Sequence, residues 1–239
     1  MDSRSLKELG LLEVASWYGL QPAMADAAST PVAAASPSPS APAAPEIVAA
    51  AGWEALRELV LACRACGLCN QRKQAVFGVR AQAGPWLFVG EGPGADEDEQ
   101  GEPFVGQAGK LLDNMLAAIG CRRGQDSYIA NVVKCRPPGN RTPTPEEAAA
   151  CAPFLDRQID LVAPRLIVAL GKSAVVRLLG TDASVASLRG RIHRYRGIPV
   201  VVTYHPAYLL RSLPEKAKAW EDLVFARNAL RSALAGVSS

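Results

Sequence analysis

Cysteine residues form the first pattern in the chain that could do chemistry. Cys63 and Cys66 make a C-x-x-C pair with Cys69 close behind, and Cys135 and Cys151 lie further along the chain. A C-x-x-C pair places two thiolates on one turn, and a second pair can complete the ligand set of zinc or of an iron–sulfur cluster. The spacing leaves both metals open, and it leaves open whether Cys66 or Cys69 joins Cys63. Unrelated buried thiols are the structural alternative.

Three loops rich in glycine or proline hold most of the other reactive side chains. Gly90-Glu-Gly-Pro-Gly follows an apolar run, a second loop begins at Asn131, and a third begins at His205. The first loop lacks the G-x-G-x-x-G spacing of a dinucleotide site, and acidic residues follow where a pyrophosphate would lie. Gly171-Lys-Ser opens a predicted helix as a phosphate loop does, but Leu166 stands where a Walker A loop needs glycine. The sequence therefore argues against nucleotide hydrolysis.

Charge is unevenly distributed along the chain, although its net value is only +3. Six carboxylates and no lysine or arginine lie between Arg80 and Lys110. Residues 183–214, which we call the basic segment, contain five arginines, both histidines of the chain and no carboxylate. Arginines with interleaved tyrosines suit phosphates and unstacked bases, so this pattern predicts contacts with nucleic acid. A solvated basic hairpin is the alternative.

The remaining pattern predicts the elements that must position these residues. The chain has 239 residues, of which 49% are hydrophobic and 21% charged, as expected of a folded domain. Runs that are apolar on both faces predict parallel strands beginning at Trp86, Tyr128, Leu166 and Pro199. Helical periodicity predicts helices at 53–63, 109–119, 145–162, 172–179 and 215–235. The alternation predicts a three-layer α/β/α sandwich around a mainly parallel, four-stranded sheet, with the site at the carboxyl ends of the strands.

The first part of the chain differs from this domain in composition. Residues 1–20 contain leucines at helical spacing and predict a short amphipathic helix, and residues 21–46 are mostly Ala, Pro, Ser and Thr, as in a flexible linker. We expect residues 47–239 to form one domain. The chain starts without a secretion signal and has no apolar run long enough for a membrane helix. We therefore expect a cytoplasmic protein.

The cysteines and loops together resemble the family 4 uracil-DNA glycosylases, the iron–sulfur branch of the uracil-DNA glycosylase superfamily. The matching stretches run in the family's order from about residue 53 to residue 212. They are the pair Cys63-x-x-Cys66 with Val76-Phe-Gly, Val89-Gly-Glu-Gly-Pro-Gly-Ala-Asp-Glu-Asp, Gly101-Glu-Pro-Phe-Val-Gly-Gln-Ala-Gly-Lys-Leu-Leu, Asn131-Val-Val-Lys-Cys-Arg-Pro-Pro-Gly-Asn-Arg, Cys151-x-Pro-Phe-Leu and His205-Pro-Ala-Tyr-Leu-Leu-Arg. The resemblance implies a structural [4Fe-4S] cluster on Cys63, Cys66, Cys135 and Cys151, without Cys69.

The resemblance also implies a pocket for a uracil flipped out of DNA. It places Phe104 to stack on the base. The amide of Asn131 offers one donor and one acceptor, which match O4 and N3–H of uracil and mismatch cytosine. His205 can donate a hydrogen bond to O2 as negative charge develops there. The structural alternatives are a core aromatic for Phe104, a turn cap for Asn131 and a structural histidine.

Other members of the superfamily carry a Gly-Gln-Asp-Pro-Tyr loop. Aligning Gly90-Glu-Gly-Pro-Gly with it puts Gly92 at the position of the aspartate, so that this chain lacks that residue. Glu91 is the nearest carboxylate that could orient water or stabilise the sugar cation, and shaping the loop is its alternative role. The backbone of the glycine loop, including Gly92, could hold O2. Glu97 is a candidate to crowd the methyl group of thymine.

The segment Tyr208-Leu-Leu-Arg is expected to enter the minor groove of DNA. Tyr208, Leu209 and Leu210 would fill the gap left by the flipped base, while Arg211 holds phosphate or base edges. The start of a core helix is the alternative for the two leucines.

We therefore expect a monomeric, monofunctional glycosylase that removes uracil from single- and double-stranded DNA, with no membrane contact. A glycosylase for other deaminated bases is one alternative. A non-catalytic iron–sulfur protein that binds DNA is another. The N-terminal helix could recruit a repair or replication partner.

Overall fold

The computed structural model describes residues 45–79 and 84–235, which belong to one compact unit. The predicted N-terminal helix and most of the predicted linker lie outside these residues. Helix α1 (Pro45–Ala50) begins within the last two residues of that predicted linker, and its Val48 is buried.

The described residues form five strands and nine α-helices. The strands are β1 (Trp86–Gly90), β2 (Ser127–Asn131), β3 (Leu166–Leu170), β4 (His193–Tyr195) and β5 (Ile198–Thr203). The other helices are α2 (Trp53–Ala62), α3 (Ala95–Gln100), α4 (Gln107–Ala118), α5 (Pro145–Val162), α6 (Lys172–Leu179), α7 (Val185–Leu188), α8 (Pro206–Arg211), α9 (Glu215–Ala235), and two short 3-10 turns lie at Gly67–Asn70 and Pro138–Asn140. None of the helices in the described part of the chain is long and apolar enough to cross a membrane.

The sheet has the strand order β2-β1-β3-β5-β4. The four predicted strands are present and parallel, and β4 adds a fifth, antiparallel strand at the edge beside β5. The predicted number of strands was therefore too low by one. Strand β4 has only three residues, His193, Arg194 and Tyr195. It has no apolar run because an edge strand is only partly buried, and so periodicity could not reveal it.

The order of the strands places a functional site at one end of the sheet. The connection that leaves β1 leads to β2 on one side of the sheet, and the connection that leaves β3 leads to β5 on the other side, so these two connections diverge. Right-handed crossovers in opposite directions put α4 on one face and α5 and α6 on the other, which gives the predicted three layers. Ligands of such sheets bind where the connections diverge, at the carboxyl ends of the strands.

Candidate functional site: a cavity at the carboxyl edge of the sheet

A cavity of about 470 Å³ opens at the carboxyl edge of the sheet. Its wall is made by the loops that follow β1, β2, β3 and β5, and its volume lies in the range of small-ligand sites. The structure brings together here all the predicted base-binding and catalytic residues and two of the predicted DNA contacts. They are Glu91, Gly92, Glu97, Phe104, Asn131, His205, Tyr208 and Arg211.

Asn131 ends strand β2, and its side chain is fixed against β1. The residue is 2% exposed, and its Oδ1 has no hydrogen-bond partner among the described residues. A Cβ on Gly90 would lie only 2.5 Å from this Oδ1 and from Cζ of Phe104, so glycine is needed for both side chains to reach the cavity. A buried unpaired acceptor is costly, so this Oδ1, in the wall of the cavity, is available to accept from the N–H of a ligand.

His205 precedes helix α8 and presents one ring nitrogen to the cavity. Its Nδ1 accepts a hydrogen bond of 3.2 Å from the backbone N–H of Ala207. The neutral ring therefore carries its proton on Nε2, which is a donor. Burial, with a smaller contribution from Arg211, lowers the pKa of His205 to about 4, so the ring is neutral near pH 7. The rings of His205 and Phe104 are 5.4 Å apart between centroids.

Glu97 has a structural role that the sequence did not predict. Its Oε1 accepts hydrogen bonds from the N–H groups of Val105 and Gly106 at 2.9 and 3.0 Å, and its Oε2 accepts one from Gly94 at 3.0 Å. The carboxylate therefore joins the glycine loop to the loop that carries Phe104. Glu97 stands three residues after the N-cap Gly94 and accepts from its N–H, which is one half of a capping box, since glycine has no side chain to return the bond. This spacing was the signal available in the sequence. The predicted contact with a thymine methyl stays a prediction.

Glu91 is held by a residue that the sequence patterns did not single out for the site. The hydroxyl of Ser173, in the first turn of α6, donates to the carboxylate of Glu91. Ser173 belongs to the Gly171-Lys-Ser stretch that resembled a phosphate loop. Its real signal was its position after β3, at the same edge of the sheet as Glu91. Gly92 has no room for a side chain, because a Cβ there would lie 2.8 Å from Cγ2 of Val133.

The predicted DNA contacts of helix α8 separate into two groups. Tyr208 and Leu210 are 40% and 42% exposed, and Arg211 lines the cavity. Leu209 is only 1% exposed, and it faces a groove between α4 and α9 rather than solvent. The helical turn directs it into the protein, so the prediction that Leu209 inserts into DNA was wrong.

The basic segment does not form one nucleic-acid surface. Arg189 pairs with the buried carboxylate of Asp222 at 3.1 Å, and Arg196 pairs with Asp160 at 2.8 Å. The turn between β4 and β5, which holds Arg196, lies at the amino end of β5, opposite the cavity. Because Arg189 and Arg196 are paired with carboxylates of the domain, the predicted contact with nucleic acid rests on the other arginines of the segment, of which Arg211 lines the cavity, and it stays a prediction.

A second, smaller pocket is lined by sulfur atoms. Its wall includes Arg72, Lys134, Cys63, Cys66, Cys69, Cys135 and Cys151, whereas Cys121 is buried elsewhere. Burial raises the pKa of Cys135 to about 11 and that of Cys151 to about 12, so these thiols are protonated unless a cation is bound. Nη1 of Arg72 lies 2.8 Å from the sulfur of Cys135.

In the described part of the chain, no three side chains of Cys, His, Asp or Glu converge as ligands of a single metal ion. The donor set of thiols fits a cluster better than one ion, because each thiolate of a cluster binds a different iron and the ligands are further apart.

The fold and the cavity define an α/β/α protein with a small-ligand site, in which an asparagine, an aromatic ring and a neutral histidine meet at the carboxyl edge of parallel strands. The model of the uracil DNA glycosylase superfamily matches residues 77–224. The chain belongs to this superfamily, and within it to the type-4 uracil-DNA glycosylases.

Three curated relatives with that type-4 name are similar over most of their length. The protein of Thermotoga maritima is 49% identical over 66% of this chain and 83% of its own length. The protein of Pyrobaculum aerophilum is 45% identical over 70% of this chain and 89% of its own length. The protein of Archaeoglobus fulgidus is 43% identical over 63% of this chain and 79% of its own length.

Proposed function

We propose that this protein is a monofunctional DNA glycosylase that hydrolyses the N-glycosidic bond of uracil and so starts base excision repair. The observation that carries the proposal is the unpaired, buried Oδ1 of Asn131 in a cavity shared with Phe104 and His205. The names of the type-4 relatives support it.

Asn131 reads the base in this proposal. Its Oδ1 accepts from N3–H of uracil and its amide N–H donates to O4. Cytosine presents an unprotonated N3 and an amine at these positions, so it would leave the fixed amide facing two mismatched groups. Phe104 stacks on the ring from a buried position next to Gly90, which requires the base to leave the duplex.

His205 and Glu91 supply the chemistry. Cleavage leaves negative charge on uracil O2, and the Nε2–H of the neutral His205 donates to this oxygen most strongly in the transition state. Glu91, oriented by Ser173, is the carboxylate available to orient water or to stabilise the positive sugar. Lys172 is the lysine of the cavity wall among the described residues, and its ammonium group is held by the carboxylate of Asp182 and the carbonyl of Ala183, so we expect no strand cleavage by a lyase step.

We infer that Cys63, Cys66, Cys135 and Cys151 hold a [4Fe-4S] cluster. Bound there, the cluster would supply a structural tie between the segment before β1 and the loop that follows Asn131. The pocket shared by these thiols and the cations of Arg72 and Lys134 beside them support this inference, because thiolates need positive charge when buried.

The DNA contacts are inferred from helix α8. Exposed Tyr208 and Leu210 fill the space of the flipped nucleotide in a duplex, and Arg211 binds phosphate or a base edge. Single-stranded DNA needs no such filling, so both substrates are accepted. One chain supplies every residue assigned to the site, which supports a monomer. A cytoplasmic location, where cellular DNA is the substrate, belongs to the same proposal.

An excision assay tests the proposal. Oligonucleotides with a single uracil, a single hypoxanthine or no modified base are incubated with excess protein under single-turnover conditions. Release of uracil alone, leaving an abasic site without strand cleavage, is the expected result. Faster release of hypoxanthine would indicate a different specificity, and release of no base would show a non-catalytic protein.

A further inference from the structure

Phe104 is held in an uncommon backbone conformation. Its φ angle is +56°, in the left-handed region that residues other than glycine rarely adopt. Such strain persists only where surrounding contacts determine the conformation, and it is frequent at functional sites. The ring of Phe104 nevertheless lies against His205 in the cavity wall. Contacts elsewhere must therefore hold the backbone in place.

Arg123 makes two of these contacts from outside the cavity. Its Nη1 donates to the carbonyl oxygen of Pro103 at 2.6 Å, and its Nη2 donates to that of Phe104 at 2.8 Å. Its Nε donates to Oδ1 of Asp113 on α4 at 2.9 Å, so the guanidinium is itself fixed. A planar fork of donors suits two adjacent carbonyls, and lysine could not reproduce both bonds.

Glu97 and α4 close the other sides of the same loop. The carboxylate of Glu97 binds the N–H groups of Val105 and Gly106, the two residues that follow Phe104. A Cβ on Gly109 would collide with the carbonyl oxygen of Phe104, so helix α4 packs directly on this peptide group. The cationic side chain of Arg123 thus holds the carbonyls of Pro103 and Phe104. The anionic side chain of Glu97 holds the N–H groups of the two residues that follow.

We propose that Arg123 is a positioning residue for base excision, which acts by keeping Phe104 in the left-handed conformation that presents its ring to the flipped base. This inference rests on the proposed function. Among the described residues Arg123 is not part of the cavity wall, so its effect on the reaction passes through the loop of Phe104. Neither sequence spacing nor the predicted roles of the site indicated it.

Hydrogen exchange tests the contact without any catalysis. Arg123→Met should speed the exchange of the Val105 and Gly106 amides at least about tenfold, because the loop loses the partner of two carbonyls. Arg122→Met is the matched control, since Arg122 is exposed and its ion pair is with Asp126 in its own turn, at 3.8 Å. Its exchange at these amides should equal that of the unmodified chain. Unchanged exchange in Arg123→Met would overturn the proposal.

Single-turnover excision tests the consequence for the reaction. Arg123→Met should lower the rate roughly 10- to 100-fold, the scale set by the strain of a left-handed residue. The dissociation constant for DNA should not change, and Arg123→Lys should recover part of the rate. In a Phe104→Ala background, Arg123→Met should cause less than about a twofold further loss, because the two residues act as one unit.

The outcomes separate this inference from the proposed function. If the unmodified chain excises uracil and Arg123→Met excises it equally fast, only the role of Arg123 is wrong. A loss of equal size in the Phe104→Ala background would assign Arg123 to general stability and would also overturn it. If the unmodified chain releases no uracil, the proposed function is wrong, and the exchange measurement alone decides whether Arg123 holds the loop.

Discussion

The base cavity and the thiol pocket are neighbours along the chain: Asn131 lines the cavity, and Lys134 and Cys135 line the thiol pocket. The two regions differ in how their buried polar groups find hydrogen-bond or charge partners. In the cavity, the side chains of Glu91, Glu97 and His205 are bonded to other groups of the chain, and one buried acceptor on Asn131 is unpaired among the described residues. In the thiol pocket, burial raises the pKa of Cys135 and Cys151. Hydrogen bonds within the chain thus hold the side chains of the cavity, whereas the thiol pocket needs a bound cation for its thiolates.

Lys134 connects the two regions. Its ammonium group is buried and donates to the backbone oxygen of Asn131 at 2.8 Å and to Gln158 at 2.6 Å. Its backbone N–H donates to the sulfur of Cys151 at 3.3 Å. Burial lowers the pKa of Lys134 to about 8. Through this lysine, the thiol pocket can support the position of Asn131 without taking part in the reaction.

The largest effect is expected in the thiol pocket. Cys135→Ala should abolish iron binding, because the three remaining cysteines no longer complete the ligand set of the cluster. The fold should be destabilised, because the cluster no longer ties the two segments together. Iron analysis, absorbance near 400 nm and thermal unfolding measure this. Cys69→Ala and Cys121→Ala are the controls and should retain about four irons per chain. Loss of iron in Cys69→Ala, or stoichiometric zinc after anaerobic purification, would contradict the assignment.

His205→Ala tests whether the cavity contributes chemistry rather than binding. The single-turnover rate should fall roughly 10²- to 10³-fold, the scale for one donor to a developing oxyanion, with little change in DNA affinity. Iron content should equal that of the unmodified chain, because His205 does not line the thiol pocket. Weak DNA binding together with a normal rate would make His205 a docking residue.

Asn131→Asp tests base reading at the junction of the two regions. An acceptor then faces O4, so uracil excision should fall at least about tenfold, the scale of one lost hydrogen bond. Cytosine excision should become measurable, because its amine can donate to the new carboxylate. Oligonucleotides with a single uracil or cytosine give both rates. A uracil rate that is unchanged would show that the amide does not read the base.

Arg211 and Arg196 test the division of the basic segment. Arg211→Ala should weaken DNA binding and reduce the slope of log affinity against log salt by about one, as for one phosphate contact. Arg196→Ala is the matched control, because this arginine pairs with Asp160 at the far end of the sheet. Equal losses in both variants would restore the interpretation of one continuous DNA-binding segment.

The smallest expected effect is that of pH on His205. Because the neutral ring is the active form and its pKa is about 4, the excision rate should not fall through this group between pH 8 and about 5.5. Below that range protonation adds a hydrogen at Nδ1, where Ala207 already donates, and the rate should fall. An acidic limb centred near 6.5 that disappears in His205→Ala would contradict the effect of burial.

The sequence by itself determined the four parallel strands, the long helices and the edge of the sheet at which the reactive loops meet, but not the edge strand β4. Buried parallel strands are apolar on both faces, and long helices repeat with a clear period, so Trp86–Gly90 and Pro145–Val162 could be predicted from local pattern alone. The carboxyl ends of parallel strands share one edge, so the order of the elements was enough to predict that Glu91, Asn131 and His205 meet.

Only the tertiary structure decided which partner each polar group takes. The sequence left Arg189 and Arg196 available to DNA, but the fold places Asp222 and Asp160 beside them. The side chain of Leu209 is buried inside the protein. Ser173 donates to Glu91, which is 82 positions away in the sequence, and Arg123 donates to the carbonyl of Phe104, which is 19 positions away. The physical reason is that periodicity depends on neighbours in sequence, whereas hydrogen bonds and ion pairs depend on distances of a few ångströms between segments that only folding brings together.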